Sequence, residues 1–338
     1  MLKKSDDIQT IILEYIWIDG KMKLRSKYKT IKVLEKDLNI EQWKCDGKLT
    51  YHIYNEDGEI ILNPISFYSN PFFDKDKSYL VLCDTFYDNQ SKITPTLTNY
   101  RMLARDIFQK KKELDPWFVI KQDYYMMCNE YTYTSSTPLF FKNPKLPKEE
   151  GDYYCGVGND NIIMRNLAEK HYIYCINAGI NISGMNAEAA PNQWKFKIGP
   201  SPGIEAADDL IVARYILLKL SESANVDISF VSKPLPKPWN TSKLCINLST
   251  IETRENDGIT KLNSYMNYLK NKHNEHMLVY SDPELINNES NIDNLNIHIP
   301  NKVKVEKKGY LVDNRPISNS DPYLTISKIY DTCCISIN

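Results

Sequence analysis

Histidine and cysteine are the residue types most often found at reactive centres, and the chain has five of the first and eight of the second. His273 and His276 stand three apart, which puts both on one face of a helix. No acids follow at metal-ligand spacing, so they are expected to form a surface pair. Glu169, His171 and Cys175 lie within seven residues of one another. A thiol nucleophile needs the imidazole in hydrogen-bond reach. This neighbourhood instead reads as ordinary helix surface and core. The cysteines Cys45, Cys83, Cys128, Cys155, Cys175 and Cys245 are scattered and Cys333 and Cys334 are adjacent, with no metal or disulfide spacing. Most are expected to act as small buried apolar groups in a reducing, cytoplasmic setting. Lysines gather at Lys110–Lys112 and at Lys302–Lys308. Acids and apolar residues interrupt both runs, so solvated faces are expected.

Composition narrows the classes further. The chain has 338 residues, a net charge of -1, 42% hydrophobic and 25% charged residues. That is an ordinary globular balance, with no signal for nucleic acid as a partner. No secretory leader opens the sequence and no apolar run is long enough for a bilayer, so no membrane partner is expected. Glycine is scarce, at 12 residues, which disfavours loops that wrap phosphates.

The elements that must position any site are β-rich at first. Ile11–Asp19 and Leu24–Val33 flank an Asp19-Gly20 turn, and Glu59–Phe67 and Tyr79–Phe86 follow. Asp88–Thr98 reads as a polar connector, and Asn99–Leu114 as a helix with Thr98 at its N-cap. Strands are then expected at Trp117–Met127, Ile180–Glu188, Gln193–Gly199, Val226–Val231 and Leu244–Thr250. Helices are expected at Ile162–Ala178, at Ala206–Ala224 (long and amphipathic) and at Gly258–His276. Thr134–Glu150 and Ile286–Asn296 read as loops. The class is α+β, a small β domain at 1–90 and a larger α+β domain at 91–338, with the boundary near 88–98.

An ordered series of segments runs through nearly the whole chain. It includes Glu14–Gly20 (EYIWIDG), Trp43–Gly47 (WKCDG), Leu80–Asp84 (LVLCD), Pro116–Phe118 (PWF), Tyr153–Gly158 (YYCGVG) and Ala178–Glu188 (AGINISGMNAE). It continues with Gln193–Pro200, Val212–Tyr215 (VARY), Lys307–Tyr310 (KKGY) and Arg315–Pro322 (RPISNSDP). In type and order this series resembles the eukaryotic-type glutamine synthetases. The resemblance implies a β-grasp-like N-terminal domain and a C-terminal catalytic domain with a curved antiparallel sheet and flanking helices. It also implies a ring of like subunits, reduced to a smaller oligomer if the shortened Tyr280–Gly309 stretch weakens the interface. The implied reaction joins glutamate and ammonia at the expense of ATP, with Mg²⁺ or Mn²⁺.

That reaction neutralises charge on a transferring phosphoryl group, which in the family falls to two divalent metals and several arginines. Hard cations need carboxylate oxygens, with a histidine tolerated. The resemblance puts the six ligand positions at Lys121, Asp123, Glu188, Lys195, Cys245 and Val312. Only Glu188 keeps the family's residue, and Asp123 is a shortened acid. An ammonium about 4 Å from a divalent ion is repelled by roughly 8 kcal/mol at an effective dielectric of about 20. Lys121 and Lys195 are therefore expected to replace the metals electrostatically, pairing with Asp123 or Glu188. No arginine lies between Arg254 and Arg315, and Asn314 stands where the family has an arginine. Asp46 matches the acid that handles ammonium, as a vestige. Trp117, Asn247, Ser249, Arg254 and Tyr310 match positions around the nucleotide, as a remnant.

The leading expectation is a glutamine synthetase-like pseudoenzyme, without cofactor, serving a structural or interaction role in an assembly with a protein partner that the sequence does not name. The alternative is an active or residually active ligase using ATP and Mg²⁺ or Mn²⁺. A second alternative is a small-molecule or nucleotide binder in which Asp46, Asp123, Glu188, Lys121 and Lys195 form a new polar site.

Overall fold

A computed structural model describes residues 8–34, 39–54, 58–74, 76–89, 92–128, 150–158, 162, 164–235, 239–280 and 296–336. The expected loops at Thr134–Glu150 and Ile286–Asn296 lie almost wholly outside them. The chain divides into two compact units, Met1–Leu103 with Tyr174–Ile180, and Ala104–Ile173 with Asn181–Asn338. The α+β class is as expected.

The first unit is built on a six-stranded sheet: β1 (Ile8–Ile18), β2 (Leu24–Leu34), β3 (Trp43–Asp46), β4 (Glu59–Ser69), β5 (Ser78–Asn89) and β6 (Lys92–Pro95). The order is β2-β1-β5-β4-β3, with β6 on β5. Strands β1 and β5 are parallel and the other pairs antiparallel. Period-two alternation sends Ile11, Leu13, Tyr15 and Trp17 to one face, where they pack with Ile60, Leu62, Val81 and Cys83. The β1–β2 connection is bracketed by Asp19. Its Oδ1 accepts from the Lys21 and Lys23 amides at 2.8 and 2.9 Å, and its Oδ2 pairs with Arg25 Nε at 2.8 Å. Glycine is required at position 20 because a Cβ there would lie 1.9 Å from the Tyr51 carbonyl oxygen.

Two expectations change here. The polar connector contains β6, whose backbone pairs along Phe86–Asn89. The following helix, α1 (Tyr100–Gln109), is shorter than expected and is capped by Asn99, not Thr98. The Asn99 Oδ1 accepts the Met102 amide at 3.4 Å. A separate 3₁₀ turn covers Lys112–Leu114.

The second unit holds a seven-stranded sheet in which every pairing is antiparallel. Its strands are β7 (Trp117–Cys128), β8 (Ile182–Ala187), β9 (Gln193–Pro202), β10 (Val226–Ser229), β11 (Leu244–Ser249), β12 (Ile297–His298) and β13 (Leu311–Asp313). The order is β12-β13-β11-β7-β9-β8, with β10 on β7. Among the described residues, the α-helices after α1 are α2 (Arg165–Ala178), α3 (Glu205–Ala224), α4 (Ile251–Arg254), α5 (Gly258–Asn271), α6 (His273–Tyr280), α7 (Asn301–Glu306) and α8 (Pro322–Tyr330).

One face of this sheet carries Phe118, Ile120, Tyr124, Trp194, Phe196, Ile198, Leu244, Ile246 and Leu248, all buried. Each fully buried side chain of this size contributes about 1.5–3 kcal/mol. Helix α3 is not amphipathic as expected: its residues are buried almost without interruption from Ala206 to Leu217. A helix buried all round is a core element, not a surface one. Its two buried charged residues are satisfied in place. Asp208 accepts from Tyr323 Oη at 2.7 Å, and Arg214 donates to Gln122 Oε1 from Nε at 2.9 Å and to the Ser318 carbonyl at 2.9 Å.

The expected Gly258–His276 helix is broken at Lys272 into α5 and α6. His276 is fully buried, which overturns the expected surface pair with His273. It bonds Tyr280 Oη at 2.6 Å and Thr332 Oγ1 at 2.9 Å. Burial and the nearby Arg315 guanidinium push its pKa down to about 2, so the ring is neutral. The cause is a buried cluster around Arg315, whose Nε and Nη2 grip Asp313 at 2.9 and 2.7 Å.

Candidate functional site

The site residues are sorted by strand register. Lys121 lies opposite Lys197 on β9 and opposite Cys245 on β11, while Asp123 lies opposite Lys195, which in turn faces Asn186 on β8. Asn247 faces Val119 and Val312, and Ser249 faces Trp117. Residues paired across antiparallel strands share a face, as do residues two apart on a strand. Lys121, Asp123, Lys195, Cys245 and Val312 therefore stand on one face with Trp117, Asn247 and Ser249. Glu188, just beyond β8, joins them through its contact with Lys195. This is the polar face, opposite the face packed on α3.

The centre of the polar face is an ion-paired triad. Lys195 Nζ lies 2.8 Å from Glu188 Oε1 and 3.4 Å from Asp123 Oδ1. Asp123 and Glu188 are buried, at 4% and 7% exposure. Asn186 Nδ2 donates to Glu188 Oε1 at 2.8 Å, and the Lys243 amide donates to Asp123 Oδ2 at 3.1 Å. Asp123 Oδ1 is buried with no hydrogen-bond donor, so the ammonium is its main electrostatic compensation. Burial pushes the Asp123 pKa up to about 6, with Glu188 adding to the shift and Lys195 opposing it. Burial disfavours the Lys195 ammonium, but the two carboxylates outweigh it and its pKa is raised. The pairing expected of the two lysines is found for Lys195. It is not found for Lys121, which makes no ion pair among the described residues.

Toward the Trp117 end, the Arg254 guanidinium stacks 4.6 Å from the centre of the Trp117 ring. Its Nη1 reaches Ser249 Oγ at 3.2 Å, and its Nη2 pairs with Asp115 Oδ2 at 2.6 Å. The Gly309 amide donates to the Thr253 carbonyl at 2.7 Å and ties the segment bearing Tyr310 to α4. Four of the five nucleotide-remnant residues thus gather at this end. Asn247 sits midway along the face, 3.9 Å from the Cys245 thiol. Asp46 belongs to the first unit. It is exposed, and its Oδ1 accepts the Leu49 amide at 2.8 Å.

Sequence reasoning did not single out Lys197, His298 or Asp115. The alternation Lys195-Phe196-Lys197 could have found the first. The other two need the register of β12 and the stacking at Trp117.

Comparison with known proteins places the chain. The family model of the glutamine synthetase catalytic domain matches residues 101–270. The glutamine synthetase of Agaricus bisporus is 36% identical over 346 residues, covering 98% of this chain and 94% of its own length. That of Candida glabrata is 37% identical over 344 residues, covering 97% and 90%. The cytosolic isozyme 1-1 of Oryza sativa subsp. japonica is 36% identical over 352 residues, covering 99% and 97%. The chain belongs to the glutamine synthetase family.

Within that family, the donor set of this chain does not suit a pair of hard divalent cations. Of the six ligand positions implied by the resemblance, two offer carboxylates, and one ammonium already sits between them. Val312 offers no donor. Cys245 offers a buried thiol whose pKa is raised by burial and therefore stays protonated. Among the described residues, no group of three or more His, Cys, Asp or Glu is arranged to hold a metal. Arg315 is buried at 5% exposure and bound bidentately to Asp313, so its guanidinium is committed inside the fold. Among the described residues no helix is long and apolar enough to cross a membrane.

Proposed function

We propose that this glutamine synthetase family member has lost the metal-dependent ligase reaction and serves as a structural or interaction subunit of an assembly. The observation that carries the reading is the Lys195 ammonium seated between Asp123 and Glu188. Phosphoryl transfer to a carboxylate needs positive charge at the transferring group and a defined geometry of metals. A fixed lysine supplies one positive charge where a divalent cation supplies two, and it repels any cation that approaches. The relatives named above are glutamine synthetases, and their function does not pass to this chain through identity alone.

A γ-glutamyl transfer assay with Mn²⁺ and with Mg²⁺ tests the reading. No turnover above a protein-free blank is expected, and metal-dependent turnover would overturn it. A remnant nucleotide site at Trp117, Ser249, Arg254 and Tyr310 is the second reading, supported by the stacking of Arg254 on Trp117. The Asp115 carboxylate opposes it, because it occupies the guanidinium that a phosphate would need. Thermal shift with ATP, with and without Mg²⁺, separates the two. The assembly is proposed to be a homo-oligomer, a ring or a smaller derivative, located in the cytoplasm. Light scattering on the purified chain measures its size.

A further inference from the structure

The lysines of the polar face do not balance its acids. Lys121, Lys195 and Lys197 share the face by register, against the carboxylates of Asp123 and Glu188. Both carboxylates are engaged by Lys195. Among the described residues, Lys121 and Lys197 have no ion-pair partner. Lys121 and Lys197 stand directly opposite each other on β7 and β9. Like charges at directly opposed positions destabilise a sheet, since their Cβ atoms stand only about 5 Å apart. Both side chains are half-buried, so water screens them less than it screens surface lysines. Lys121 is also within electrostatic reach of Cys245 and His298. The Lys197 stem lies over Gly184, where a Cβ would meet its Cδ at 3.6 Å.

We propose that Lys121 and Lys197 bracket a small multivalent oxyanion of the phosphate class, held on the polar face without any divalent metal. Two ammoniums on neighbouring strands each donate to different oxygens of one anion, and the anion removes their mutual repulsion. A divalent cation is repelled by the same arrangement. The site thus has the charge preference opposite to that of the family's metal centre. The inference rests on the reading that the metals are gone, and the two are tested by separate titrations.

The experiment is calorimetric titration of the full chain with inorganic phosphate in EDTA at constant ionic strength. Saturable binding of one phosphate per chain is expected, weakened tenfold or more in Lys121→Gln and in Lys197→Gln. Lys302→Gln, a change on an exposed helix, should leave it unaltered. Melting temperature supplies a second readout that a merely structural role would not give. Lys121→Gln should melt higher than the parent without phosphate, because the repulsion is relieved, and lower than the parent in saturating phosphate. Absence of saturable binding to the parent protein, binding that equal chloride reproduces, or affinity unchanged in both variants would overturn the proposal. If Mn²⁺ binds tightly and phosphate binds only with it, the loss-of-metal reading falls as well. If neither binds, the anion site alone falls.

Discussion

The two faces of the seven-stranded sheet differ in how closely their residues match the glutamine synthetase pattern. On the packed face, Gln122, Arg214, Arg315 and Ser318 lie in segments that match the glutamine synthetase pattern; Arg315 binds Asp313, and the other three form one buried polar network. Gln122 Nε2 donates to Ser318 Oγ at 2.8 Å and to its carbonyl at 2.9 Å, Ser318 Oγ donates to the Asp123 carbonyl, and Arg214 binds both Gln122 and Ser318. On the polar face, one strand position to either side of Gln122, Lys121 and Asp123 depart from the pattern. A single strand thus carries a residue bonded into the fold and, on either side of it, two that the resemblance assigns to ligand positions. Burial separates Gln122 from Lys121. A buried, fully bonded network costs several kcal/mol when any member is lost, whereas Lys121 is half-buried and has no ion-pair partner among the described residues.

The largest effect is expected on the packed face. Arg315→Leu leaves Asp313 as an uncompensated buried charge, and a loss of about 3–5 kcal/mol in urea unfolding is expected. Next is Lys195→Met on the polar face, which strands Asp123 and Glu188. A loss of about 2–3 kcal/mol is expected at pH 8 and less at pH 5, where Asp123 takes up a proton. An effect of similar size, read as a pH dependence, belongs to Asp123→Asn. The Asp123 pKa is about 6 in the fold, against an ordinary value of 3.8 for this carboxyl. Between those values the folded state binds more protons than the unfolded state, so this group makes stability fall as pH rises from about 4 to 6. Its contribution, roughly 2–3 kcal/mol summed over that range, is the extra loss of stability expected in the parent relative to the variant. If the two profiles run parallel, burial does not raise this carboxyl. The smallest effect is Lys121→Met without phosphate, expected within about 0.5 kcal/mol of the parent and in the stabilising direction. A large loss there would show that Lys121 holds the fold, and the contrast between the faces would be blunted.

Much of this was legible in the sequence because strand alternation and ordered segments survive when a site changes. The α+β class and the strands from Trp117 to Leu244 followed from residue order, and the ligand positions were implied by the family resemblance. What escaped was information carried by register and by burial. Lys195 could be named as a candidate counter-ion, but its choice of both carboxylates, and the isolation of Lys121, depend on which residues β9 sets opposite β7. His276 looked like a surface residue because helix periodicity does not reveal that α6 packs beside Thr332. Helix α3 was expected to be amphipathic, but its charged residues Asp208 and Arg214 are buried, each with a partner of its own.

Titration of the purified chain with Mn²⁺ by calorimetry tests the central claim most directly, with a Lys121→Glu/Lys195→Glu double variant beside it. No saturable binding to the parent protein at millimolar Mn²⁺ is expected, and a measurable gain in the variant, whose acids join Asp123 and Glu188 on the same face. Micromolar binding of Mn²⁺ by the parent would contradict the account, since it would mean that Lys195 leaves its two carboxylates to a metal.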